Sequence, residues 1–211
     1  PKNFLVHPPT IKKCLSEYLC QEKIRSFAIS ETQKYGHITY FWNGNKSGYI
    51  NKSLETFIEI PSDNCLFDEK PDMKAIEITE KVMDLLNSKE YQFGRINFPN
   101  GDMVGHTGNM KATIQSLETT DKCTQKIVEK VSKIGGISII CADHGNADEM
   151  YSLKNGIKIP KTSHTLNPVP FAIIDSKLNN QYKIKSFKNA GLSNIAATIC
   201  NLLGYKCPKE Y

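Results

Sequence analysis

The run ISIICADHGNADEM, residues 137–150, decides how the chain is read. Its first six residues are almost wholly apolar, and they lie between Gly135-Gly136 and Asp143. A short apolar run bounded by turn residues reads as a strand covered on both faces, the habit of a central strand in a parallel sheet. Cys141 within it reads as a buried small residue. In open parallel sheets ligands gather at the C-terminal ends of the strands. The loop after this strand offers Asp143 and His144 side by side, then Asp148 and Glu149.

Working outward, residues 109–134 carry a long helical pattern, stopped by the paired glycines. Residues 73–86 form a second helical pattern and 91–98 a strand. Beyond the central run, 169–174 reads as an apolar strand, 182–187 as an edge strand and 192–203 as a closing helix. Upstream, 11–21 is helical by the spacing of Leu15, Tyr18 and Leu19. Three strands are expected there: 24–29, 38–42 ending at Asn43-Gly44-Asn45, and 57–60 stopped by Pro61. The alternation of strand and helix from Met73 onward predicts an α/β fold, a three-layer α/β/α arrangement with a mainly parallel sheet.

The composition is that of an ordinary globular chain: 211 residues, 39% hydrophobic and 23% charged. The net charge of +5 is scattered rather than gathered into a basic stripe. Nucleic acid is therefore not an expected partner. No run approaches the roughly 20 apolar residues of a membrane span, so no membrane association is expected. Seven cysteines, none at CxxC spacing, fit a reducing, cytoplasmic compartment. The Pro-rich residues 1–10 have linker character. The start at Pro1 rather than Met suggests cleavage or excision from a longer protein.

Three of the five histidines sit in loops at expected strand ends. NFPNGDMVGHTG, residues 97–108, offers Asp102 and His106 four residues apart. His164 lies in TSHT, before the strand at 169–174. Imidazole and carboxylate together suit divalent transition metals, and two such clusters on neighbouring strand ends suit two ions. Each element also has an ordinary reading. Asp102 and Asp143 are good turn residues, and a lone histidine such as His164 is more often structural. His37 and His7 read as structural and exposed. Lys34, after the strand at 24–29, reads as a solvated lysine, with a phosphate-facing role as the alternative.

NGDMVGHTG, ADHGNADEM and TSHTLNPVP, preceded by SETQKYGHITYFWNGN at 30–45, resemble in order the signatures of the 2,3-bisphosphoglycerate-independent phosphoglycerate mutases. That resemblance implies an alkaline-phosphatase-like fold lacking its N-terminal segment. Residues 1–10 would be a linker from a missing substrate domain, and 11–211 the C-terminal part of the metal-binding domain. It implies interconversion of 3-phosphoglycerate and 2-phosphoglycerate through a phosphoserine in glycolysis and gluconeogenesis. Two divalent ions are expected, Mn first, with Mg, Co or Zn possible, and no 2,3-bisphosphoglycerate.

Carried over by motif, Asp102, His106 and His164 bind one ion, Asp143 and His144 the other, and Lys34 contacts the phosphoryl group or substrate. Asp148 and Glu149 match the motif without being ligands. Neither Ser163 nor Thr107 matches the family's nucleophile, so the nucleophilic serine is expected outside this chain. The chain alone is then expected to be inactive, to hold one ion well, and to self-associate through an uncovered sheet edge, although the parent would be monomeric. Two other readings stand beside this one. One is a different metalloenzyme of the superfamily, a phosphatase or phosphopentomutase; the other is a non-catalytic metal-binding module.

Overall fold

In the computed structural model, residues 5–6, 11–178, 181–185 and 188–209 are described. Three strands form a parallel sheet in the order β2-β1-β3: β1 (Ser26–Glu31), β2 (Glu55–Ile60) and β3 (Phe93–Asn97). All six residues of β1 are buried, so β1 is the central covered strand. The helices α3 (Ala75–Ser88) and α5 (Met110–Lys133) cover one face. Ile78 and Val82 of α3 and Ile127 of α5 meet Phe27 and Ile29 of β1 in one core. Gly94 leaves room for the tip of the Phe27 ring against β3, since a Cβ there would come within 2.3 Å of Cζ.

A second core joins the helix α1 (Leu15–Gln21) to α6 (Ile195–Leu202), through Leu15, Leu19, Ile199 and Cys200. Asn109 caps α5 by accepting from the Ala112 amide, and Gly135 ends it at φ 77°.

Three expectations are corrected. The run at 137–142 is β4 (Ile137–Cys141), but it pairs antiparallel with β7 (Phe171–Asp175), not within the parallel sheet. Its residues are half-buried and Cys141 is exposed, not buried. An apolar run records that both faces want cover but not which strand lies beside it or in which direction. Among the described residues β4 has a strand neighbour on one edge only, and so does β3.

The second correction concerns residues 38–42, which are helical. The short helix α2 (Thr32–Gly36) continues as a π-helical turn over His37–Phe41. The β-propensity of Ile38, Thr39 and Tyr40 is overridden because this turn buries Ile38 and Thr39. The Trp42 amide bonds to His37 and the Asn43 amide to Thr39, while Arg95 Nε donates to the Ile38 carbonyl at 2.7 Å.

The third correction is that no strand forms over 182–185; the rest of that expected strand, 186–187, lies outside the described residues. His7 and most of the expected linker lie outside them too.

Two elements were not expected. Residues 100–105 form the helix α4 (Asn100–Gly105) rather than an open loop. Tyr151–Lys154 (β5) and Ile157–Pro160 (β6) form a hairpin. Its two turn residues, Asn155 and Gly156, both have positive φ (52° and 77°). That is the conformation an Asn-Gly turn favours between two strands.

Candidate metal centre

Every candidate site residue follows or precedes a strand at one edge of the molecule. Lys34 sits on α2 directly after β1. Asp102 lies on α4, and His106 directly caps it, both after β3. Asp143 and His144 follow β4. His164 precedes β7, and because β7 runs antiparallel to β4, its leading end lies beside the trailing end of β4: Cys141 pairs with Phe171. The strand direction that the sequence reading missed is what brings His164 to the others.

Asp102 is the hub. Its side chain is only 13% exposed, and Lys34 Nζ, equally enclosed, lies 2.6 Å from Oδ2. Oδ1 has His106 Nε2 at 3.1 Å, His164 Nε2 at 2.9 Å and the Asn146 amide nitrogen at 2.8 Å. Burial by itself would raise the Asp102 carboxyl. The Lys34 ammonium, the Asn146 amide and His106 outweigh it and bring it down to about 2. Asp102 is therefore an anion at neutral pH.

His106 and His164 bring their Nε2 atoms to 3.1 Å of each other. His106 Nδ1 lies 2.6 Å from the Thr162 carbonyl. A carbonyl can only accept, so Nδ1 carries a proton, and Nε2 is the ring nitrogen turned inward toward Asp102. His144 stacks on His164 with ring centroids 3.7 Å apart, and its Nε2 lies 4.0 Å from Asp102 Oδ2 and 3.6 Å from Asp143 Oδ2. Asp143 is the most open of the five, with its side chain 54% exposed. Asp102, His144 and His164 together offer three donor atoms within 4.8 Å of one another. Carboxylate oxygen and imidazole nitrogen converging on one point suit Mn, Co or Zn. The side chains present therefore fit a divalent ion, held around Asp102.

Asp102 stands between His106 and His164 on one oxygen and Lys34 and His144 on the other. Sequence reasoning missed Asn146, whose amide grips Asp102. It also set His37 aside. Burial pushes the His37 imidazole down, with a further push from Lys34, while Asp143 and Asp102 pull the other way. That places it in the field of the same cluster. Asp148, left out as a ligand, accepts hydrogen bonds from Thr165 Oγ1 (2.9 Å) and Asn167 Nδ2 (2.6 Å).

Residues 3–207 match the family model of the Metalloenzyme superfamily. A probable 2,3-bisphosphoglycerate-independent phosphoglycerate mutase of Leptospira interrogans is 48% identical over 220 residues. The 2,3-bisphosphoglycerate-independent phosphoglycerate mutase of Trypanosoma brucei brucei is 47% identical over 221 residues. In both cases all of this chain aligns, against 40% of the relative. A solved structure of Leishmania mexicana phosphoglycerate mutase, described as at low cobalt concentration, superposes with a TM-score of 0.95 at 47% identity. It too matches the whole of this chain and 40% of its own. The chain thus spans about two-fifths of the length of the relatives it matches.

Proposed function

The chain belongs to the Metalloenzyme superfamily, and from that premise we propose that it supplies the metal-holding part of a 2,3-bisphosphoglycerate-independent phosphoglycerate mutase. The observation that carries the proposal is the convergence on Asp102 of Lys34, His106, His144 and His164, drawn from four separate stretches of chain. The two relatives described above align over the whole chain and bear that mutase name, which favours this reading over a phosphatase or a phosphopentomutase.

Asp102, His106 and His164 hold one ion; Asp143 and His144 contribute to the second. Manganese is the first candidate; cobalt, magnesium and zinc share the donor chemistry. Bound there, the ions supply charge that stabilises a phosphoryl group in transfer. The chain's own residues do the rest that falls to this part. Lys34 contributes a positive charge directly beside Asp102. The Thr162 carbonyl holds His106 in the tautomer that offers Nε2. The proposal assigns the nucleophilic serine and the substrate domain to the three-fifths of the relatives' length outside this alignment. The reading requires no 2,3-bisphosphoglycerate. Among the described residues no helix is long and apolar enough to cross a membrane.

The test is an enolase-coupled assay for 2-phosphoglycerate formed from 3-phosphoglycerate with Mn present. This chain is run beside a protein extended N-terminally to the relatives' full length. Activity only in the extended protein, lost on chelation and in Asp102→Asn, is the expected result. Turnover by this chain alone overturns the placement of the nucleophile. An inactive extended protein that still binds Mn overturns the mutase reading and leaves a metal-binding module.

A further inference from the structure

Gly105 is the last residue of α4 and is buried, and its φ is not positive. Nothing in its backbone asks for glycine, and a helical conformation ordinarily favours alanine over glycine. What excludes alanine is a neighbour: a Cβ on Gly105 would lie 2.5 Å from Asn146 Oδ1 and 3.0 Å from its Cγ. Asn146 follows His144 by two residues and is 5% exposed. Its Nδ2 donates both to the main-chain carbonyl of Asp102 (3.2 Å) and to the carboxylate oxygen Oδ1 (2.8 Å). Its Oδ1 is buried and has no hydrogen-bond partner.

An orphaned buried amide oxygen and a glycine inside a helix are both local penalties. They meet at one point, and that point adjoins the hub of the metal centre. An asparagine serving only as a turn residue would turn its side chain to solvent. This one is driven into the wall beneath Asp102.

We infer that Asn146 is a positioning residue that fixes the rotamer of Asp102, and that Gly105 is glycine to leave room for its amide. The inference rests on the metal-holding role proposed above. By gripping the carbonyl and Oδ1 of the same residue, one NH2 group prevents the carboxylate from turning. Oδ1 is then kept among His106 and His164, and Oδ2 is left to Lys34 and His144. Since Asn146 shares its loop with His144, the same contact also sets the spacing between the two groups of ligands. Partners that orient ligands in this way typically contribute 10- to 100-fold to metal affinity.

The experiment titrates the chain with Co(II), following the visible absorption band, for the wild type, Asn146→Ala, Gly105→Ala and the double variant. Urea unfolding of the metal-free proteins accompanies each titration. The expected result is a roughly 10- to 100-fold weaker affinity and an altered band in both single variants. The double variant should bind within about two-fold of Asn146→Ala, because removing the amide removes the three nearest contacts of the added methyl. A Gly105→Ala protein that binds like the wild type overturns the inference. So does a double variant in which the two losses multiply.

A wild type that binds no Co(II) counts against the proposed function, and the metal-free data then decide the inference. Asn146→Ala must lower the urea midpoint clearly more in the wild type than when Asp102 is already Ala, where only the bond to the main-chain carbonyl remains. Equal shifts in the two backgrounds overturn the inference.

Discussion

Replacing Lys34 with Met removes the closest partner of Asp102 while keeping most of the buried stem. In the wild type, Lys34 Nζ lies 2.6 Å from Asp102 Oδ2, with the two side chains 7% and 13% exposed. The Asp102 carboxyl sits at about 2 against an ordinary 3.8. A depression of that size is roughly 2 kcal/mol of stability. Because the folded-state value is the lower one, this stability is present above about pH 4 and is lost as the pH falls through about 2. In the variant burial dominates, so the carboxyl moves upward. At pH 7 an anion is then left enclosed with only the Asn146 amide and the histidines.

Breaking a buried pair costs about 3–5 kcal/mol; with Asn146 still in place, about 2–4 kcal/mol is expected. The assay is urea unfolding of the chelator-treated chain, followed through its single tryptophan, Trp42. At pH 7 the midpoint should fall by about 1–2 M. Toward pH 3 the variant's carboxyl is neutral and gains stability on protonation, while the wild type loses some, so the gap narrows. A gap that is the same at pH 7 and pH 3, or a variant as stable as the wild type at pH 7, refutes this account of the pair.

Arg95 and Glu55 are a second enclosed pair, 6% and 4% exposed and 3.8 Å apart, with both Arg95 terminal nitrogens lacking hydrogen-bond partners. Arg95→Met should destabilise the metal-free chain by about 3–5 kcal/mol, and adding Glu55→Gln should restore at least half of it in chemical denaturation. Gly94→Ala should lower the Tm by several degrees, about 1–3 kcal/mol, because its methyl strikes the Phe27 ring. Adding Phe27→Leu should recover part of that shift in thermal melts followed by circular dichroism.

The site was largely legible where the signal was local. Asp102 and His106 stand four residues apart in one motif, and the coiling of the chain into α4 turns that spacing into contact. Asp143 and His144 were placed by the end of an apolar run, and the 110–133 helix by its period and the glycines behind it. The Asn155-Gly156 hairpin had a signal, the dipeptide itself, that went unread. The helical turn at His37–Phe41 had none, because its residues favour strands and only the burial of Ile38 and Thr39 turns them into a helix.

What the sequence determined by itself is thus the kind of ligand, the motif order and the rough position of each element. These rest on residue chemistry and on interactions within a few positions of chain. The tertiary structure alone decided that β1 rather than β4 is the covered centre, that β4 and β7 run opposite ways, and that Asn146 reaches Asp102. Those depend on contacts between residues about 30 to 70 positions apart, and an apolar or polar side chain carries no record of which distant partner it meets.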